Sequence, residues 1–142
     1  MRLIRRAPLY VTRPVGCGAQ PWFVNSAVLL ETTLGPDRLV ARLKRTEAVL
    51  GRRSRGRNGP REIDMDLLLL DDRVYSGRRA SVPHPRFHER AFALMPAADI
   101  AGGMRHPVLG LPVSSLARIS ARSRGARGVR RLHGRRLRGE VA

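Results

Sequence analysis

The sequence predicts an α+β domain, and three observations carry that expectation. Two stretches, 2–11 and 22–33, are rich in apolar and β-branched residues, as strands are. Residues 36–50 set apolar side chains along one helical stripe. A further run, 62–70, passes from two acids at alternate positions into Leu67-Leu68-Leu69-Leu70, as a strand does when it leaves a site and enters a core. At 142 residues the chain suits one domain with a real core and is too short for two comfortable ones.

Taken in order, residues 2–11 form a strand, placed at a sheet edge by Pro8, which has no N–H for a ladder. Residues 12–21 form a loop, with Arg13-Pro14, Gly16, Gly18 and Pro21 as breakers. The run 22–33 is a central strand. Gly35-Pro36-Asp37 opens a helix, with Pro36 suited to its first turn. Leu39, Val40, Leu43, Thr46, Ala48, Val49 and Leu50 line its apolar face, and Gly51 closes it. Residues 52–60 are too basic and too glycine-rich for a core element and read as a loop. After the strand 62–70, Asp71-Asp72 turns the chain and Arg73-Val74-Tyr75 pairs back as a short hairpin strand. A loop then carries Arg78, Arg79 and Ser81, and a helical turn spans Arg86–Glu89. The apolar stretches 91–96, 98–101 and 106–109 pack, and 114–119 make a last helical turn.

The charge is extreme, at +17, and almost all of it is arginine, since Lys44 is the sole lysine. Residues 118–142 hold nine arginines against one acid, Glu140, and carry no periodic apolar face. They read as a disordered tail beyond a domain of residues 1–117. A surface this basic favours anionic partners: nucleotides, nucleic acid or acidic lipid. The single cysteine, Cys17, excludes an internal disulfide framework and is compatible with a reducing cytosol. No apolar run approaches the roughly 20 residues of a membrane span. No apolar stretch of signal-peptide type follows Arg2, Arg5 and Arg6. The expected location is the cytoplasm.

The chemistry gathers in four places. Asp64 and Asp66 are two residues apart, so on a strand both face one way. Paired carboxylates of this kind hold a hard cation such as magnesium together with phosphate, or are simply solvated acids at a strand end. The arginines of 52–61 precede them, and guanidinium suits a polyphosphate. His84 is fixed between Pro83 and Pro85, with Arg90 six residues on. Phe23 and Asn25 share a strand face, where a ring can stack on a flat heterocycle and an amide can bond its edge.

In this order the residues resemble the 6-hydroxymethyl-7,8-dihydropterin pyrophosphokinase family of folate biosynthesis. The run Gly59 to Leu68 follows its pattern Gly-Pro-Arg-x-[Leu/Ile]-Asp-x-Asp-[Leu/Ile]-Leu. Pro83-His84-Pro85 followed by Arg90-Ala91-Phe92 is its second marker, and Tyr10–Gly16, Gln20-Pro21 and Glu31-Thr32 also fit. The match covers about residues 2–117. It implies a ferredoxin-like α+β sandwich and transfer of pyrophosphate from ATP to the pterin hydroxymethyl group, with release of AMP. It implies that Asp64 and Asp66 bind two Mg2+ ions, and that Phe23 and Phe92 sandwich the pterin. Thr12, Pro14, Val15 and Asn25 would line the pterin's polar edge. Glu47, Leu67, Arg79, Ser81, His84 and Arg90 would hold ATP, and Arg52 and Arg61 would act on the phosphates in the transition state.

The chain also departs from the pattern. Family members begin with a strand ending in Gly-Ser-Asn and a long helix, and neither precedes the strand at 2–11. The expectation is an N-terminally truncated fold, through a start codon placed too far downstream or through a genuine truncation. Lys44 stands where the family often has glutamine or histidine near ATP, and Asn58 replaces an aromatic residue before Gly59. Two other functions are compatible with the sequence: a basic, non-catalytic protein that binds nucleic acid through the 118–142 tail, and an inactive truncated copy.

Overall fold

The computed structural model describes residues 1–13, 22–51 and 63–132. The roles expected for Pro14, Val15, Arg52 and Arg61 fall outside them. Along the chain run strands β1 (Arg2–Arg6), β2 (Tyr10–Thr12), β3 (Phe23–Asn25) and β4 (Val28–Glu31), then helix α1 (Pro36–Leu50). Strands β5 (Tyr75–Ser76) and β6 (Ser81–Val82) follow, then a 3-10 turn (Phe87–Glu89) and helices α2 (Ala91–Ala101) and α3 (Val113–Ala121). A second 3-10 turn (Arg124–Ala126) leads to β7 (Val129–Arg131). The strands are all antiparallel and the class is α+β, as the sequence predicts. No helix among the described residues is long and apolar enough to cross a membrane. The chain divides into two compact units, Met1–Thr32 with Arg86–Ala142, and Thr33–Pro85.

In the first unit each expected long strand is broken into two. β1 pairs with β4, with Leu3 opposite Leu30, and β2 pairs with β3, with Tyr10 opposite Asn25 and Thr12 opposite Phe23. The breaks face one another. Pro8 cannot donate to a ladder. Opposite it, the Ser26 hydroxyl donates to Ala7 O at 3.0 Å, and the Ala7 N–H donates to Ala27 O at 2.8 Å. The ribbon therefore bends there, and the expected edge and central strands are corrected in this sheet: β2 lies between β3 and β7, and β3 is at the edge.

The tail expected from residue 118 holds regular elements as far as Arg131, and residues 133–142 lie outside the described ones. Residue 117 lies inside α3, and β7 pairs with β2, placing Val129 opposite Thr12. Val129 is buried beside Tyr10 and Ala91, so one apolar side chain between arginines anchors the strand. Gly128 has φ +82°, and a Cβ there would lie 2.9 Å from Arg13 O, so glycine allows this close pairing. α2 and α3 pack together around Leu94, Ala97, Val113 and Leu116. Leu94 is fully buried, which stabilises by roughly 1.5–3 kcal/mol over an exposed leucine.

In the second unit Leu39 and Leu43 of α1 are buried, as their helical spacing predicts, whereas Val49 and Leu50 are exposed. The strand expected at 62–70 is a correction. Residues 63–70 are in no strand and have no ladder partner among the described residues. An alternating pattern predicts extended chain, but a strand also needs a neighbour. Single hydrogen bonds hold the segment instead, one of them from the His84 N–H to Leu68 O at 2.8 Å. The expected backward hairpin at 73–75 is replaced by a forward one, β5 with β6, in which Tyr75 faces Val82.

Candidate functional site

Within the second unit, the last turns of α1 clasp the peptide of Met65. The Met65 N–H donates to Glu47 Oε1, and the Lys44 ammonium donates to Met65 O at 3.2 Å. This grip brings Asp64 and Asp66 to the same ammonium. Its Nζ lies 2.9 Å from Glu47 Oε1, 3.7 Å from Asp64 Oδ1 and 3.9 Å from Asp66 Oδ1. The two aspartates thus share a side, as their spacing predicts, although they are not on a strand. Four oxygens surround one positive charge. Burial alone would lower the Lys44 pKa, but the bond to Glu47 and the charges of Glu47, Asp64 and Asp66 outweigh it, and the net shift is upward.

The same unit holds most of the residues expected at ATP. Glu47 Oε1 is engaged by the Met65 N–H and the Lys44 ammonium, so this carboxylate organises the 63–66 segment. Leu67 is half-buried just beyond it. Arg79 and Ser81 are exposed on the β5–β6 hairpin. His84 is half-buried after the Val82–Pro83 bond, which is cis.

Asp37 fastens the hairpin to the N-terminus of α1. Its Oδ1 accepts the N–H groups of Arg79 and Ala80, both at 2.8 Å, and its Oδ2 accepts the Tyr75 hydroxyl at 2.5 Å. These bonds, the Tyr75 one foremost, hold its carboxyl below the usual carboxylate range and push the Tyr75 hydroxyl up. The sequence reading missed Asp37. Its signal was an acid in the first helical turn, which pointed to the helix and not to the hairpin.

The residues expected at the pterin belong to the first unit. Phe23 and Asn25 alternate on β3, and Phe23 is 59% exposed, so its ring face is available to a ligand. α2 packs against β2 and β3 and carries Phe92 in its first turn. Phe92 packs against the buried Tyr10–Ala91–Val129 cluster, which fixes one side of its ring. Thr12 Oγ1 is buried without a hydrogen-bond partner, an orphan that a polar ligand edge would satisfy. Arg90, expected at ATP, lies with its guanidinium carbon 5.7 Å from the Phe92 ring centre. Below this layer Tyr10 donates its hydroxyl to Asp99 Oδ2 at 2.5 Å, and Arg131 Nε lies 3.7 Å from the same oxygen. Burial and then Asp99 push the Tyr10 hydroxyl up to about 12.

The residues fit a hard divalent cation. Asp64 and Asp66 turn oxygens toward one positive charge, and the Lys44 ammonium stands in for the ion. Among the described residues no cluster of three or more His, Cys, Asp or Glu is arranged to hold a metal alone. Magnesium binds one or two carboxylates and completes its shell with water and substrate phosphate.

Two carboxylates that converge on one positive charge, in an α+β protein, are an arrangement that can handle phosphorylated ligands. More narrowly, the chain belongs to the 7,8-dihydro-6-hydroxymethylpterin-pyrophosphokinase family, whose model matches residues 1–102. It is similar to the 2-amino-4-hydroxy-6-hydroxymethyldihydropteridine pyrophosphokinase of Pseudomonas aeruginosa, with 41% identity over 75% of this chain and 65% of the relative. The protein of the same name from Methylorubrum extorquens is 42% identical over 71% of this chain and 64% of the relative. The folic acid synthesis protein fol1 of Pneumocystis carinii is 35% identical over 81% of this chain and 16% of its own length. The chain spans less than two thirds of the length of each of these relatives.

Proposed function

We propose that the protein transfers the β,γ-pyrophosphoryl group of ATP to the hydroxymethyl oxygen of 6-hydroxymethyl-7,8-dihydropterin, in folate synthesis. A bond forms between that oxygen and the β-phosphorus. The bond from the β-phosphorus to the bridging oxygen breaks, and AMP leaves with that oxygen. The hydroxymethyl proton is lost. The observation that carries this reading is the convergence of Asp64 and Asp66 on one positive charge, within the run that marks the family.

Asp64 and Asp66 would hold Mg2+, whose charge, when bound, neutralises the phosphates and keeps attacking and leaving oxygens in line. Glu47 holds the 63–66 segment against α1 and so fixes the direction of both aspartates. Arg79, Ser81 and His84 would bind ATP from the hairpin side, with Leu67 beside the nucleotide. Phe23 and Phe92 would bind the pterin by stacking, and Thr12 and Asn25 would bond its edge. Arg90 would bind ATP, and the Phe92 ring beside it supports its guanidinium. Arg52 and Arg61 would neutralise charge on the transferring phosphates, and Pro14 and Val15 would close the pterin edge.

The test is incubation of the chain with ATP, Mg2+ and the hydroxymethyl dihydropterin. AMP and the diphosphorylated pterin should appear in equal amounts. Asp64→Ala and Asp66→Ala should each remove turnover and leave the far-ultraviolet dichroism unchanged. A folded chain that binds neither ATP nor the pterin would sink the proposal.

A further inference from the structure

The cation site already contains a cation of the protein's own. Lys44 Nζ sits among Glu47 Oε1, Met65 O, Asp64 Oδ1 and Asp66 Oδ1, at 2.9, 3.2, 3.7 and 3.9 Å. Its side chain is 47% exposed, so the ammonium is not locked in a core and its four-carbon arm can leave. The four distances fall into two kinds. Glu47 and Met65 O are at hydrogen-bonding range, whereas the aspartates are held only by charge.

We propose that Lys44 is a tethered competitor of the divalent ion: it neutralises Asp64 and Asp66 until the metal enters, and is then released toward the nucleotide phosphates. This rests on the assignment of Asp64 and Asp66 as metal ligands. The Lys44 charge must be displaced when a divalent ion binds, because an ammonium 3.7 Å from a ligand oxygen repels that ion. The displaced ammonium keeps its charge, and the phosphate oxygens of a nucleotide are the anions that a substrate would bring to it. Metal and nucleotide binding are thereby coupled, since each removes Lys44 from competition with the other. A glutamine at this position, neutral and unable to compete, would leave metal binding independent of that exchange.

The test uses the full chain and Mn2+ alone, titrated by electron paramagnetic resonance without nucleotide or pterin. Lys44→Gln should bind Mn2+ roughly tenfold more tightly than the natural chain, the scale of removing one like charge at this range in a partly solvated site. Lys44→Met should do the same, and Lys44→Arg should stay weak. A purely structural role would make the neutral variants bind more weakly, because the aspartates would separate. Circular dichroism of each variant confirms that it is folded. An unchanged or weaker Mn2+ affinity in Lys44→Gln and Lys44→Met, with binding lost in Asp64→Asn, overturns the competition and leaves the metal site standing. Binding that is indifferent to Asp64→Asn and Asp66→Asn overturns both.

Discussion

Asp37 Oδ1 accepts the backbone N–H of Ala80 at 2.8 Å, across 43 residues of sequence. With the Arg79 N–H and the Tyr75 hydroxyl on the same carboxylate, this one side chain fixes the hairpin that carries Arg79 and Ser81. Asp37→Ala should leave α1 formed, since Pro36 and Gly35 start it without a side-chain cap. It should release the hairpin, seen as faster amide exchange at Arg79 and Ala80 and weaker ATP binding. The carboxyl is held below its ordinary value, so its contribution is fully present above the usual carboxylate pKa. It is lost as pH falls through the lowered one. Protection of these two amides should therefore follow that loss on acidification.

Phe23 tests the pterin side without disturbing the core. Its ring is 59% exposed and meets solvent. Phe23→Ala should weaken pterin binding about tenfold or more, since ring stacking on a flat heterocycle is worth roughly 1–3 kcal/mol. Fluorescence titration with the pterin measures it. The midpoint of thermal unfolding should barely move, because little buried surface is lost. Phe92→Ala should differ, weakening binding and stability together, because Phe92 also packs against the buried Tyr10 cluster.

How much was legible depended on the range of the interactions. The shared side of Asp64 and Asp66 follows from local spacing, and so do the buried Leu39 and Leu43. The ammonium that both aspartates approach, on Lys44, was legible only as an unusual residue in the family pattern. Its contact spans 20 residues or so and depends on how α1 meets the 63–66 segment. Asp37 was missed for the same reason, since its partners include the backbone amides of Arg79 and Ala80, which have no sequence signature. Pro8 pointed to an edge and the run 22–33 to a centre, yet β2 lies between β3 and β7 with β3 at the edge, because Pro8 sits in the break and leaves β2 free to pair on both sides. In the tail, arginine density hid the single buried Val129 that makes β7 a strand.

Tyr10 ties that C-terminal strand to α2. Its side chain is buried, its hydroxyl reaches Asp99, and Arg131 of β7 meets the same carboxylate. Tyr10→Phe removes a hydrogen bond to a charged group and leaves Asp99 with Arg131 alone. The expected cost is about 1.5–3 kcal/mol in unfolding free energy, measured by denaturant titration. Arg131→Ala should cost much less, since its ion pair is half-exposed and sits at 3.7 Å.

His106 gives the fold an acid limit of its own. The ring is 4% exposed, and its Nδ1 accepts the N–H groups of Val108 and Leu109 at 3.3 and 3.1 Å. Protonation would place a hydrogen on that acceptor, facing two donors, inside a buried site. Burial first, and then the neighbouring His88 ring at 5.9 Å, lower its pKa below 6.5. The unfolded chain therefore takes up the proton at a higher pH than the folded one. Stability from this group is full above the ordinary histidine value and is lost as pH falls through the lowered one. His106→Asn supplies an amide oxygen as acceptor and cannot titrate in this range. Denaturant titrations between about pH 7 and pH 5 should show the natural chain losing stability with acid and the variant losing less of it. Parallel slopes for the two chains would remove His106 as the cause.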